Sequence, residues 1–384
     1  MTINFTSNTR PTLGVELELH LVDANTGDLV SASNELLAEM AADFPDQEHP
    51  KAKHELFQST VEIITGVCET PAEARADLAD TLRELHAAAQ RRGLRLLSSG
   101  THPFGMARHQ DVSPNPRYHE LVDAMQWPAR RLLICGQHIH VGVRSGERAI
   151  SIINEMTRHL PLFLALSSSS PYFEGEDSGL ASARSKVFES LPTAGLPPQI
   201  SCWADFETFM STLIDSECIA SIREVWWDIR PHPDFGTIEF RMCDSPHTLT
   251  EATPLAGLAQ TLVAWADDLI DRGELPEPPR EWTVRENRWL AARYGIDARL
   301  IVEAVDGGKP QRRPVRELVD DLLAELSPMA EILETQAELA EIERILDRGS
   351  GSVRQRRLVA GGATLADVVH QLADELLDDC TPAQ

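Results

Sequence analysis

Four stretches of the chain alternate apolar and ionisable residues with the two-residue period of a β-strand. In residues 13–22, Val15, Leu17, Leu19 and Leu21 share one face, while Glu16, Glu18 and His20 share the other. Residues 60–65 form a β-branched apolar run with Glu62 inside it. Residues 133–143 set Ile139, Val141 and Val143 against His138 and His140. Residues 237–243 set Ile238, Phe240 and Met242 against Glu239 and Arg241.

Helical periodicity fills much of the space between them. Residues 71–92 read as a helix capped by Thr70 and stopped at Gly93. Residues 149–166 read as another, interrupted or bent near Pro161. After Asp244 the strand signal fades. Residues 250–271, 282–294, 315–326, 329–348 and about 365–377 read as helices. A Pro-rich connector spans 273–280, and a Gly/Ser turn at 349–352 precedes the basic stretch 354–357. Strands and helices mix without a regular βαβ beat, which predicts an α+β fold with a mainly antiparallel sheet. The expectation is one catalytic domain over residues 1–384, mostly helical from about residue 250.

Charge narrows the function. The formal net charge of −25 repels phosphate backbones and anionic lipid heads, so neither nucleic acid nor membrane partners are expected. An anionic substrate needs local cations. The richest apolar run, 160–166, is too short to span a bilayer, and residues 1–11 lack a signal core. The six cysteines are scattered with no C-x-x-C pair. The chain therefore reads as cytoplasmic with free thiols. Neither a P-loop nor a G-x-G-x-x-G turn is present.

Taken singly, each charged strand face has an ordinary explanation: a wet face, a cross-strand ion pair, or hydrogen-bonded histidines. Placed side by side, the same faces bring several carboxylates together. Two carboxylates about 7 Å apart repel by roughly 2 kcal/mol at an effective dielectric near 20. Such a face calls for cations, and oxygen-rich donors with one or two His favour Mg²⁺ or Mn²⁺ over Zn²⁺. Divalent cations on a sheet face suit phosphoryl transfer, and Arg241 offers a guanidinium for a phosphate.

Four motifs occur in order: Gly-Val-Glu-Leu-Glu at 14–18, Glu-Leu-Phe-Gln-Ser-Thr-Val-Glu at 55–62, Cys-Gly-Gln-His-Ile-His-Val-Gly at 135–142, and Arg-Pro-His-Pro-Asp-Phe-Gly-Thr-Ile-Glu-Phe-Arg at 230–241. In these the chain resembles the type 2 glutamate–cysteine ligases, also called carboxylate–amine ligases, from about Leu13 to Arg357. The resemblance implies a fold related to the catalytic domain of glutamine synthetase. It implies that ATP phosphorylates the γ-carboxylate of glutamate, and that the amine of cysteine, or another amine, attacks the acyl phosphate. By similarity Glu16, Glu18, Glu55, Glu62, His138 and Glu239 are the Mg²⁺ ligands, and Arg241 works with Glu239 on the phosphate. One departure is Leu17, where the family commonly has a third Glu; it points to the apolar face and leaves the metal site intact.

Further candidates carry two readings each. Arg184 is a substrate contact or a surface arginine, and Arg230 a contact for a substrate carboxylate. Of Trp226 and Trp227, at least one belongs to the core. His102 sits in a loop at a strand end, as a site residue or a turn residue. Arg354 clamps nucleotide phosphates or simply opens a basic helix. The competing functions are a metal-dependent hydrolase built on His138 and His140, and a non-catalytic ligand-binding relative. A homodimer is compatible with the sequence.

Overall fold

The long first strand, β1 (Leu13–Asp23), seeds the sheet because its apolar positions are all needed on one side: Val15, Leu17, Leu19 and Leu21 are at most 2% exposed. A computed structural model of the chain describes residues 2–303 and 309–380. The remaining strands are β2 (Ala52–His54), β3 (Thr60–Ile64), β4 (Leu94–Leu97), β5 (Gly136–Gly142), β6 (Tyr172–Phe173), β7 (Glu176–Asp177), β8 (Ile229–His232), β9 (Thr237–Asp244), β10 (Arg299–Val302) and β11 (Gln311–Pro314). Seven of them make one antiparallel sheet in the order β2-β3-β1-β5-β9-β8, with β4 paired to the C-terminal end of β1.

The apolar face is covered by the helices Pro71–Gln90, Leu160–Ser167 and Leu249–Arg272. Sheet and helix side chains form one hydrophobic cluster that also takes in Leu326 and Ile342 from the helices beyond. Each fully buried aliphatic side chain stabilises the fold by about 1.5–3 kcal/mol, which fixes the register: a one-residue slip would turn the glutamates into this core. Thr70 caps the helix Pro71–Gln90 by accepting a hydrogen bond from the Glu73 amide at 3.2 Å. Gly93 follows with φ +69°, a left-handed position that suits glycine.

The four expected site strands are all present, and three differences stand out elsewhere. Residues 149–166 are two helices, Gly146–Met156 and Leu160–Ser167, because Pro161 occupies the first turn of the second, where its missing N–H leaves no gap. Residues 315–348 break at Glu334 (φ +58°) rather than before Met329. Pro328 lies inside the helix Val315–Leu333; it is exposed, so the carbonyl it leaves unpaired meets solvent while the stripe Val319–Leu322–Leu326–Ala330 stays buried. Finally, the C-terminal part is not purely helical, since β10 and β11 pair as a ribbon. Its residues are mostly exposed or half-buried, with Leu300 the one buried position, so alternation is too weak to show in the sequence.

Candidate active site

The polar face of the sheet opens into a cavity of about 570 Å³. Antiparallel register places its ionisable groups. Glu18 on β1 stands opposite Glu62 on β3, and Glu16 stands opposite His138 on β5. His140 stands opposite Glu239 on β9, which in turn faces Arg230 on β8. Glu55, just after β2, joins them at the wall. The face thus carries a continuous row of acids and imidazoles from β3 to β9.

Within that row, donor atoms gather in three overlapping trios: Glu18–Glu55–Glu62, Glu16–Glu62–His138 and Glu16–His140–Glu239. In each the atoms lie within 4.8 Å of one another. Glu16 is shared between both imidazoles, with Oε2 2.9 Å from His138 Nδ1 and Oε1 3.3 Å from His140 Nε2. The His140 Nε2 contact lies outside hydrogen-bonding geometry, which leaves that buried nitrogen unsatisfied. His140 Nδ1 lies 3.0 Å from Thr237 Oγ1.

Electrostatics divides the acids into two groups. Burial, followed by the charges of Glu18 and Glu16, pushes the Glu55 carboxyl up to about 8. Burial and the charges of Glu16, Glu55 and Glu18 raise Glu62 well above the ordinary range. For Glu16 burial acts upward too, but the hydrogen bond from His138 and the adjacent His140 imidazole outweigh it and hold the carboxyl low. Glu239 is also held low: burial opposes ionisation, and Arg230 and Arg241 overcome it. His140 is raised, since Glu239 and Glu16 outweigh its burial. The Glu55–Glu62 end of the row therefore has no ion-paired cation among the described residues, and the Glu239 end is compensated by Arg230 and Arg241.

The arginines fall into distinct environments. Arg241 Nη1 hydrogen-bonds Glu239, while its buried Nε has no partner. Arg184 is buried in the helix Ala183–Phe188 and lines the cavity. It donates to the carbonyls of Met242 and Arg241 at 3.3 Å each, and its Nε has no partner. Asp244, at the end of β9, positions that helix by accepting from Ser170 Oγ (2.6 Å) and Ser182 Oγ (2.7 Å). Ser170 in turn accepts from the Arg184 amide at 3.0 Å. Gly136 is required beside it, because a Cβ there would overlap the Arg184 guanidinium.

Three further candidates can be placed. Arg230 lines the cavity, but its guanidinium is occupied. Nε is 2.7 Å from Glu239 Oε2, and Nη1 donates to the carbonyls of Ile222 (2.9 Å) and Val225 (2.7 Å). With Nη2 also donating to Glu239 Oε1 at 3.3 Å, most of its donors are engaged in bracing Glu239 and the neighbouring turn. Arg354 is outside the cavity lining. Its helix, Gly351–Ala360, packs it against Glu251 and against His247 Nδ1 at 2.7 Å. His102 is a loop strut: Nδ1 accepts from the Gly105 amide at 2.8 Å and Nε2 donates to the Gly27 carbonyl at 2.8 Å. Trp227 is the core tryptophan, packed with Phe206 and Phe209, whereas Trp226 lines the cavity.

The cavity also takes in residues that no pattern singled out, Lys53, Arg117, Tyr118 and Arg223, together with Phe235 from the last motif. They come from a three-residue strand, a helix start and turns, where periodicity carries no signal. Asp244 was visible only as the end of a strand.

The architecture defines a class first. A solved glutamate–cysteine ligase from Francisella tularensis, in complex with AMP, matches with a TM-score of 0.69 over 97% of this chain and 90% of that chain. At 12% identity the likeness is one of fold. Sequence carries the assignment further. The chain is 48% identical over 377 residues to the Frankia casuarinae protein named "Putative glutamate--cysteine ligase 2-1", covering 98% of each. It is 45% identical over 375 residues to "Putative glutamate--cysteine ligase 2" of Thermobifida fusca, covering 98% of this chain and 93% of the relative. The model of glutamate-cysteine ligase family 2 matches residues 12–375, and the chain belongs to that family. With it comes the class of chemistry, an ATP-dependent ligase joining a carboxylate to an amine, and the hydrolase reading of His138 and His140 is set aside.

Proposed function

We propose that this protein activates the γ-carboxylate of glutamate with ATP and transfers the acyl group to the amine of cysteine or a related amine. The observation that supports it best is the string of three donor trios beside Arg241. Its donors are carboxylates and imidazoles, a set that suits Mg²⁺ or Mn²⁺. Burial and neighbouring carboxylates disfavour the ionised forms of Glu55 and Glu62, which a bound cation would favour, and the unsatisfied His140 Nε2 faces the same row. The residues present fit divalent cations, held by Glu16, Glu18, Glu55, Glu62, His138, His140 and Glu239. Bound there, the cations would neutralise phosphate charge during transfer.

In this reading the chain's own residues do the following. Arg241 aims its unpartnered Nε at the phosphoryl group. Arg230 holds Glu239 in place and keeps it ionised. Arg184, buried and with a free Nε, contacts the glutamate inside the cavity. The γ-carboxylate oxygen attacks the terminal phosphorus of ATP, and ADP leaves. The amine nitrogen then attacks the acyl carbon, and inorganic phosphate leaves with the C–O bond pair. Phosphate release by purified protein with Mg²⁺, ATP and glutamate, against a panel of amines including cysteine, tests the reading. Release dependent on glutamate and an amine supports it; no release with any pair refutes it.

A further inference from the structure

We propose that Gln355 is a positioning residue for Arg184: it holds the backbone from which that guanidinium enters the cavity, and so governs affinity for the carboxylate substrate. The inference rests on the reading of Arg184 as the glutamate contact and adds the residue that sets it in place.

The helix Gly351–Ala360 is docked unlike its neighbours. The helices Val315–Leu333, Gln336–Arg348 and Leu365–Cys380 bury aliphatic stripes. Here the buried positions are Gly351, Ser352 and Gln355, while Leu358 and Val359 are half-buried. Directional hydrogen bonds add less net stability than aliphatic burial does, but a satisfied buried network fixes where an element sits.

Those bonds converge on one segment. The Ser352 amide donates to the Ser168 carbonyl at 2.9 Å, and Gln355 Nε2 donates to the Ser169 carbonyl at 2.7 Å. Ser99 Oγ donates to the same carbonyl at 2.7 Å, so Gln355 supplies one of two partners for its two lone pairs. Gln355 is 1% exposed, and its Nε2 also lies 3.0 Å from His247 Nε2. Gly351 permits the close approach, because a Cβ there would come within 2.7 Å of Ser169 Cβ.

From Ser169 the contacts lead into the site. The Ser169 amide and Ser170 Oγ both donate to Asp244 Oδ2, at 2.9 and 2.6 Å. Ser170 Oγ accepts from the Arg184 amide at 3.0 Å, and the Ser170 carbonyl accepts from the Ala183 amide at 2.9 Å. The first turn of the Arg184 helix thus hangs on Ser170, next in the chain to the carbonyl that Gln355 holds. The guanidinium is held by two bonds of 3.3 Å to β9 carbonyls, so its direction follows its backbone. Gln355, Ser169, Ser170 and Asp244 lie outside the cavity lining, which Arg184 joins. An effect of Gln355 on substrate therefore passes through Arg184.

The test is a double-mutant cycle read in glutamate kinetics. Hydroxylamine trapping of the acyl phosphate by the wild type reports the ligase reading first; with no hydroxamate, that reading fails. Gln355→Met keeps the length and removes the donor. It should raise KM for glutamate roughly tenfold, the worth of one buried hydrogen bond, and leave KM for ATP unchanged. Arg184→Lys should raise KM for glutamate by itself, and in its background Gln355→Met should add less than about twofold. An equal rise in both backgrounds, a matching rise in KM for ATP, or no rise at all overturns the proposal. Wild-type kinetics in Arg184→Lys would instead remove the glutamate contact on which it rests. Should Gln355→Met not fold, Gln355→Asn, shorter by one methylene and still polar, carries the same cycle with the same deciding outcomes.

Discussion

Glu239 on β9 lies opposite Arg230 on β8, with Arg230 Nε 2.7 Å from its Oε2, and Arg241 on its own strand bonds the other oxygen. One buried carboxylate thus serves two guanidinium groups. Removing its charge leaves both uncompensated, and breaking a buried pair costs about 3–5 kcal/mol. Glu239→Gln should therefore lower the thermal midpoint by several degrees and reduce turnover by at least about a hundredfold while the protein remains folded. Circular dichroism and phosphate release measure the two effects. A variant with the normal rate would remove Glu239 from the machinery.

Arg241→Lys keeps the charge and loses the planar fork. The lysine can still meet Glu239 but offers no second donor in the position of the free Nε. The expected result is about a tenfold rise in the ATP concentration needed for half-maximal rate, with a smaller change in KM for glutamate. An unchanged ATP saturation curve would assign Arg241 a structural task.

Gly136→Ala is a one-carbon probe of Arg184. The added Cβ occupies the place of the guanidinium, which is buried and tied to the carbonyls of Met242 and Arg241. Arg184 must swing away or β5 must shift. KM for glutamate should rise roughly tenfold, with a stability cost on the order of 1–3 kcal/mol from overpacking. Kinetics as good as wild type would mean that Arg184 does not touch the substrate.

The raised carboxyls give the metal-free protein a definite pH dependence. Glu55 moves from an ordinary 4.5 to about 8 on folding, and Glu62 moves in the same direction. A group raised on folding adds stability that is complete below its unfolded value and is lost as pH rises through the folded one. Stability in EDTA should thus decline between about pH 4.5 and 8. Glu16 and Glu239 are lowered and act the opposite way, losing their contribution only at acid pH. Mg²⁺ that binds the ionised acids should widen the gap in melting temperature between MgCl₂ and EDTA across that window, with proton release on binding. A gap independent of pH would argue against cations at Glu55 and Glu62.

The sequence by itself determined the chemistry of the sheet face. Strict alternation in β1, β5 and β9 makes one face apolar, so Glu16, Glu18, His138, Glu239 and Arg241 must share the other. The caps and stops of the helix Pro71–Gln90 were legible for the same reason: each is a local pattern with a local cause. The motif order carried the family. Tertiary structure decided everything that depends on which group reaches which. Arg230 and Arg241 look alike in the sequence, but Glu239 and the carbonyls of Ile222 and Val225 engage most donors of Arg230, while Arg241 keeps a buried Nε without a partner. Arg354 carried two readings in the sequence, and only the packing of its helix shows its partner, Glu251. Lys53 and Arg117, far apart in sequence, become neighbours of one cavity only through the sheet edge and the hydrogen bond that the Tyr118 hydroxyl gives the His54 carbonyl. Periodicity reports which side of an element a residue faces; distance and partnership between elements exist only after the chain has folded.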